Sequence, residues 1–300
     1  MSREHMTLTD THCHLDFQKF DHDRSEVLRR AVEAGVNRIL IPGLDMPSNR
    51  AAVSLARNHP MLYAAVGIHP TEAATWDEST RNELKALALG TFVPSDSSGA
   101  SDTPATSDTS RVVAISEIGL DYYWNSAPHA LQKNVLQEQL ALAADMGLPV
   151  ILHMREAAKA APGSCTGDLL GILEKWVMEL RSARSPLAER PGVLHSFSGT
   201  LEMARAAIGL GFWIGVTGPV TFDHARHRQQ IVAALPLEYL LIETDAPFQA
   251  PQPWRGKRNE PAYVRLIADK IALLHSCSFD EVATVTNANA GKLFAWKEKP

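Results

Sequence analysis

The chain has 300 residues, of which 45% are hydrophobic and 21% are charged, and its formal net charge is −5. A chain of this length can bury a core without disulfides or a structural metal. The acidic balance excludes a protein that coats nucleic acid with a broad basic surface, but not an enzyme that holds a few phosphates beside bound cations.

Short apolar runs rich in branched residues alternate with helical patterns along the chain. Apolar strands alternating with helices indicate a parallel sheet that is covered on its other face. Eight such units in this length favour a single (β/α)₈ barrel, the TIM barrel, over an open doubly wound sheet, for which no GxGxxG follows a strand. The predicted strands are Leu8–Asp10, Arg38–Ile41, Tyr63–Gly67, Val112–Glu117, Val150–His153, Val193–His195, Phe212–Gly215 and Leu240–Glu243.

Two helices are predicted with particular clarity, Asp23–Ala34 and His129–Met146, the second with apolar residues at the spacing of a buried helix face. The stretch Leu169–Arg184 is interpreted as a partly helical elaboration of the barrel. A final helix, Glu260–His275, and the tail NANAGKLFAW are expected to close its bottom or side.

One segment interrupts this rhythm. Residues 95–110 read SDSSGASDTPATSDTS and contain no aromatic and no branched apolar residue. Such a segment buries too little surface to offset the cost of ordering it, so a flexible insertion is expected. The whole chain, 1–300, is therefore interpreted as one domain.

Metal-ligating residue types recur where the predicted strands end. The carboxyl ends of the strands meet on one face of a (β/α)₈ barrel, where catalytic residues are found. Residues far apart in the chain would become neighbours there, and imidazole with carboxylate ligands suits zinc, manganese or iron, while carboxylates also admit magnesium. The candidate metal ligands are His12, His14, Glu117, His153, His195 and Asp245.

Three of these positions carry an argument of their own. In an extended segment His12 and His14 point to the same side, and Cys13 points to the other. A glutamate that ends an apolar strand, as Glu117 does, is costly to bury unless it is paired. Its partner is either an arginine at the barrel mouth or two cations that it bridges. Asp121, beyond that strand, is interpreted as a turn or cap residue.

The catalytic candidates are Asp245, Glu243 and His69. Asp245 and Glu243 share one side of their segment and would repel each other without a cation or a proton between them. Asp245 is assigned to metal binding and to proton abstraction from water, with Glu243 in support. His69 is a candidate general acid or phosphate ligand, and Arg155 could pair with Glu117 or hold a phosphate.

The cysteines predict a reducing compartment. Cys13, Cys165 and Cys277 are widely spaced and form no CxxC pair, which favours the cytoplasm or another reducing intracellular location. The N-terminal residues lack the apolar run of a signal peptide, and no apolar stretch is long enough to span a membrane. No membrane association is expected.

Eight short motifs in order resemble those of TatD-type metal-dependent deoxyribonucleases. They are DTHCHLD (10–16), VGIHP (66–70), SEIGLDYY (116–123), ILHMRE (151–156), LHSFSG (194–199), IGVTG (214–218), IETDAPF (242–248) and RGKRNEP (255–261). The resemblance implies a barrel with two divalent metal ions and cleavage of DNA, commonly from a 3′ end. It implies one ion held by His12, His14, Glu117 and Asp245, and a second held by Glu117, His153 and His195.

The leading hypothesis is hydrolysis of DNA phosphodiesters by a metal-bridged hydroxide, with Mg²⁺, Mn²⁺ or Zn²⁺ as the ions. The substrate would be single-stranded DNA or 3′ ends, or RNA in their place. Arg255, Lys257 and Arg258 are further candidates for phosphate contacts. A second hypothesis is a hydrolase of a carbon-centred ester or amide, such as an aminoacyl-ester deacylase. A third is a barrel that binds nucleic acid without turnover.

Overall fold

Eight parallel strands form the centre of the molecule, each paired with the next in chain order. The computed structural model describes residues 7–92, 110–124, 126–157 and 164–296. All eight predicted strands are present, most of them with bounds shifted by one or two residues. They are β1 (Leu8–Asp10), β2 (Val36–Pro42), β3 (Leu62–Val66), β4 (Val112–Asp121), β5 (Val150–Arg155), β6 (Gly192–Leu194), β7 (Trp213–Val216) and β8 (Leu240–Ile242).

Helices connect the strands and cover the outside of the sheet. Their ends follow local sequence signals: Asp45 and Ser48 form a capping box at the start of α2, and Gly147 ends α4 with a left-handed backbone. The helices are α1 (Arg24–Glu33), α2 (Met46–Asn58), α3 (Glu78–Leu89), α4 (His129–Met146), α5 (Ser164–Ser182), α6 (Leu201–Leu210), α7 (Arg226–Ala234), α8 (Val264–His275) and α9 (Phe279–Phe294). No helix in the described part of the chain is long and apolar enough to cross a membrane.

The sheet closes between its last and first strands. Thr11 N donates to the carbonyl of Ile242 at 3.2 Å, and His14 N donates to that of Ala246 at 2.8 Å. Below them the buried Asp10 accepts hydrogen bonds from the backbone and hydroxyl of Thr244 at 2.9 and 2.6 Å. The predicted (β/α)₈ barrel is confirmed, and the open sheet is excluded.

The core has an inner and an outer layer. Inward-facing strand residues such as Leu40, Ile151 and Leu241 pack against Leu293 and Phe294 of α9. α9 therefore plugs the end of the barrel opposite the carboxyl ends of the strands, the position predicted for the tail. The prediction that Glu260–His275 is the final helix is wrong, because α9 follows it. The larger layer lies between strands and helices, and it includes Cys13, which is fully buried there as expected.

Two predictions about connecting segments have different outcomes. The prediction of an elaboration at Leu169–Arg184 is wrong, because α5 is the regular barrel helix between β5 and β6 and buries Leu169, Leu173 and Trp176. The sequence did not reveal where α5 starts, because the first residues of this long amphipathic helix are mostly polar. The predicted insertion at 95–110 lies outside the described residues except for Ser110, whose hydroxyl donates to the carbonyl of Ala88 at 2.6 Å.

Candidate metal centre

The six candidate ligands converge at the carboxyl ends of the strands. Beyond β1 the chain stays extended, and its main chain is fixed on one side by the bond from Cys13 N to the Leu40 carbonyl at 3.0 Å. This directs His12 and His14 inward, with 3.3 Å between their Nε2 atoms. His12 also stacks on His195, with ring centroids 3.4 Å apart.

Glu117 lies between two sets of imidazoles. Its Oε1 accepts a hydrogen bond from His153 Nδ1 at 2.9 Å, while its Oε2 lies 3.5 Å from His12 Nε2 and 4.0 Å from His14 Nε2. Burial raises the pKa of this carboxyl, but His12 and His153 outweigh burial and hold it well below the ordinary value. Glu117 is thus ionised and faces histidines, not an arginine.

Asp245 also divides its two oxygens between different partners. Oδ2 accepts a hydrogen bond from the Gln249 side chain at 2.5 Å. Oδ1 faces three imidazoles and lies 3.5 Å from His14 Nε2, 3.8 Å from His195 Nε2 and 3.9 Å from His12 Nε2. Asp245 and Gln249 both have a left-handed backbone, at φ 55° and 50°, a conformation that non-glycine residues adopt at a cost.

Glu243 orients His195. Its carboxylate accepts a short hydrogen bond from His195 Nδ1 and another from Ser196 N at 3.3 Å. Burial lowers the pKa of His195, but attraction to Glu243 outweighs it and raises the pKa to about 10. Gly215 on β7 makes room for this carboxylate, because a Cβ there would lie 1.6 Å from Glu243 Oε1. Glu243 therefore supports an imidazole instead of facing the cluster itself.

Asp121 is a site residue that sequence reasoning placed outside the site. β4 runs to this residue, and Asp121 Oδ2 accepts a hydrogen bond from His153 Nε2 at 2.9 Å. Its other oxygen accepts from the backbone of Tyr123 and Trp124, both at 2.9 Å, so the predicted turn role is also present. The sequence did contain a signal that Asp121 belongs to the site, because the apolar run of β4 continues past Glu117 to Leu120.

His69 lies at the edge of the cluster, its ring centroid 4.4 Å from that of His153. Its Nδ1 accepts a hydrogen bond from Thr71 N at 3.2 Å, so the proton of the neutral ring is on Nε2. Burial and the neighbouring His153 lower the pKa of His69 to about 3. Near neutral pH the His69 side chain is therefore uncharged and can donate a hydrogen bond. It does not carry the positive charge with which a protonated histidine would bind a substrate phosphate.

The candidate phosphate contacts lie at the rim. Arg155 lies over the ring of Tyr123, 4.1 Å from its centroid, and does not pair with Glu117. Arg258 forms a two-point ion pair with Asp23, at 2.6 and 2.7 Å. Arg255 lies over Phe222, and Lys257 lies over Trp254. Arg155 ends β5 and the other three cations lie in the connection after β8, so all four are on the side of the barrel where the strands end, and Arg258 is already engaged.

The arrangement fits divalent cations. In the described part of the chain, three sets of ligand atoms lie within 4.8 Å of one another: His12, His14 and Asp245; His12, Glu117 and His195; and His69, Glu117 and His153. His153 and His195 fall in different sets that share Glu117. Buried carboxylates and imidazoles crowded in this way are stabilised by a cation between them.

Comparison with known proteins decides the family. A family model described as TatD related DNase matches residues 9–295. The chain belongs to the TatD family. The TatD relationship covers the barrel and every candidate ligand, and it makes the protein a metal-dependent hydrolase that acts on ester bonds.

Relatives in this family extend over almost the full length of the chain. The uncharacterized metal-dependent hydrolase YabD of Bacillus subtilis is 37% identical over 96% of this chain and 98% of its own. The 3′-5′ ssDNA/RNA exonuclease TatD of Erwinia tasmaniensis is 33% identical over 95% of this chain and 98% of its own. The crystal structure of YjjV, a TatD homolog from Escherichia coli, matches with a TM-score of 0.81 and 31% identity, covering 98% and 100% of the two chains.

Proposed function

We propose that this protein is a 3′-5′ exonuclease that hydrolyses single-stranded DNA, and that two divalent cations held at the candidate metal centre support the reaction. The name of the Erwinia tasmaniensis relative supports the substrate class and the direction. The net charge of −5 does not oppose it, since the field at the site is set by the ions and the rim cations.

The observation that carries the proposal is the position of Glu117. One of its oxygens faces His153 at 2.9 Å, and the other faces His12 and His14 at 3.5 and 4.0 Å. A carboxylate with one oxygen toward each of two ligand groups is suited to bridge two cations. Paired cations are the arrangement that stabilises both the attacking and the leaving oxygen of a phosphodiester.

We take the division of the ligands between the two ions from the resemblance to TatD-type deoxyribonucleases, since the structure itself groups His195 with His12 and Glu117. His12, His14 and Asp245 with one oxygen of Glu117 would hold one ion, and the other oxygen of Glu117 with His153 and His195 would hold the second. His69 lies beside His153 at the edge of the second set, where its Nε2–H makes it a hydrogen-bond donor and not a ligand. Bound cations acidify water and offset the negative charge that develops on the phosphate.

The remaining roles belong to the chain's own side chains. Asp245 is ionised, because its histidine neighbours outweigh burial and lower its pKa, so Oδ1 can accept a proton from the attacking water. His69 Nε2–H can donate a hydrogen bond to the leaving oxygen or to the phosphate. Glu243 keeps His195 in place, and Arg155 at the rim attracts the strand.

Labelled single-stranded DNA tests the proposed reaction. The purified protein is incubated with the strand in EDTA, and Mg²⁺, Mn²⁺ or Zn²⁺ is then restored. We expect EDTA to abolish cleavage and a restored metal to shorten the strand from its 3′ end. A folded, metal-loaded protein that leaves DNA intact but cleaves an aminoacyl ester or a small amide would replace this proposal with the carbon-centred hydrolase.

The bridging role of Glu117 has its own test. Glu117→Gln keeps the shape of the side chain but removes its charge, so we expect fewer bound ions and activity lowered by about 100-fold or more. Metal content is measured by elemental analysis, and folding by circular dichroism. Glu174→Gln, at an exposed position of α5, is a matched control. Full metal content and activity in Glu117→Gln would refute the bridge.

A further inference from the structure

Exposed aromatic side chains concentrate at the mouth of the barrel. Among the large hydrophobic side chains that the described residues expose, the three aromatic ones are Tyr123, Trp124 and Phe248, which are 41%, 51% and 42% exposed. The others are aliphatic and lie on helices. Tyr123 and Trp124 follow β4, and Phe248 follows β8. β4 and β8 stand opposite each other in an eight-stranded barrel, so the aromatic residues flank the candidate metal centre on two sides.

Both positions are connected to the ligands themselves. Asp121 accepts a hydrogen bond from Trp124 N through one oxygen and from His153 through the other. On the opposite side Phe248 contacts Phe17 edge to face, with centroids 5.8 Å apart, and Phe17 lies 4.9 Å from His14. A ligand that lies on either aromatic surface is therefore adjacent to the place where hydrolysis would occur.

Each aromatic surface carries a cation. Arg155 lies over Tyr123 and is 5.4 Å from the Trp124 ring centroid, while Lys19 lies 5.3 Å from that of Phe248. Neither cation has an ion-pair partner among the described residues. An aromatic face next to an available cation matches one nucleotide of a single strand, whose base stacks and whose phosphate is negative.

We propose that Trp124 and Phe248 are base-stacking residues that hold unpaired bases of the substrate strand on opposite sides of the metal centre. The inference rests on the proposed function and goes beyond it, since it assigns strand selection to two particular side chains. Bases inside a duplex are covered by their neighbours and cannot offer a face to these rings. Stacking thus selects single-stranded ends.

Kinetics on ordinary and abasic strands test the proposal. The substrates are a single-stranded DNA and the same strand with tetrahydrofuran residues in place of the nucleotides at its 3′ end. We expect the manganese-loaded wild type to show a KM about fivefold to 100-fold higher on the abasic strand. Trp124→Ala and Phe248→Ala each raise KM on the ordinary strand by about fivefold or more and lose much less on the abasic strand.

Controls separate stacking from structure. Leu273→Ala removes an apolar side chain that is 71% exposed on α8, and it should leave KM on both strands unchanged. Trp124→Phe should restore most of the affinity that Trp124→Ala loses. Equal losses on ordinary and abasic strands, or a wild type that does not distinguish them, would overturn the stacking roles while leaving the exonuclease proposal intact.

The failure of the proposed function has a different signature. A wild type that hydrolyses bis(p-nitrophenyl) phosphate but neither DNA strand is an active phosphodiesterase that is not a nuclease. That result would overturn both proposals, and the wild type alone would reveal it.

Discussion

Side chains just outside the set of candidate ligands hold those candidates in place. Gln249 holds one oxygen of Asp245 and so turns the other toward His12, His14 and His195. Glu243 does the same for the ring of His195. Partners of metal ligands typically affect affinity or activity by about 10-fold to 100-fold, so these residues are tests of the site that leave its ligands unchanged.

Shortening Gln249 should impair activity without unfolding the protein. Asparagine tolerates the left-handed backbone at this position, but in Gln249→Asn the amide is one methylene too short to reach Asp245 Oδ2. We expect kcat/KM to fall by about 10-fold to 100-fold with little change in Tm. Gln252→Asn nearby is the control, because Gln252 bonds to Thr221 through its backbone. Equal effects of the two substitutions would contradict the role of Gln249.

Adding a methyl group at Gly215 should displace Glu243. The new Cβ would lie 1.6 Å from the carboxylate, so Gly215→Ala should lower activity and cost about 1–3 kcal/mol of stability. Gly209→Ala in α6 is a matched control, because nothing lies within 4 Å of its added Cβ. Alanine there should be neutral or stabilising. The stability of both variants is measured by urea denaturation and their activity by kcat. A Gly215→Ala variant with the stability and kcat of the wild type would contradict the close approach of Glu243 to Gly215.

At the scale of elements, four charged groups attach α1 to the connection between β8 and α8. Arg258 pairs with Asp23 through two hydrogen bonds, the shorter at 2.6 Å, and Arg30 pairs with Glu260 through three, the shortest at 2.7 Å. That connection includes Asp245 and Phe248. The ion pairs therefore anchor a loop that contributes both a candidate ligand and a candidate base contact.

The Asp23–Arg258 pair gives a pH-dependent contribution to stability. The hydrogen bonds from Arg258 lower the pKa of Asp23 from 3.8 to about 2. A lowered carboxyl pKa stabilises the fold above the unfolded value, and this contribution is lost as pH falls from about 4 toward 2. Asp23→Asn should cost about 1 kcal/mol at pH 7. Its difference from wild type in urea denaturation should shrink below pH 4, and a difference independent of pH would contradict the assignment.

The elements show what sequence could predict. The barrel followed from the alternation of apolar strands and helices, and the convergence of the candidate ligands followed from their places at strand ends. The end of β4 was not predictable from the sequence. The register of β4 against β5 shifts between Ile115 and Ile118, and the strand continues to Asp121. Contacts such as Gln249 with Asp245, or Gly215 with Glu243, depend on how separate loops pack, and no local pattern encodes them.

The whole molecule separates stability from chemistry. The candidate ligands lie at the carboxyl ends of the strands, while α9 packs Leu293 and Phe294 against the opposite end of the inner core. In barrels of this type the first face carries catalysis and the second carries stability. Substitutions at the two ends should therefore have different consequences.

Phe294→Ala should destabilise the protein and spare its chemistry. Phe294 is 2% exposed and packs against Trp296, with ring centroids 4.8 Å apart, so its removal should cost about 3–5 kcal/mol. The kcat of the protein that remains folded should match the wild type at a temperature well below both melting transitions. An unchanged Tm, or a lower kcat in fully folded protein, would contradict the separation of the two ends.

The closure of the barrel between β8 and β1 determines when, during synthesis of the chain, hydrolase activity can arise. His12 and His14 are made first during synthesis, whereas Asp245 comes after the last strand, and Asp245 N bonds to the His12 carbonyl at 2.8 Å. A nascent chain that has not reached this aspartate holds the early histidines without their partner and without a closed barrel. Translation products that end before Asp245 are therefore expected to lack hydrolase activity, because this aspartate and the closure of the barrel beside it are both needed to assemble the site.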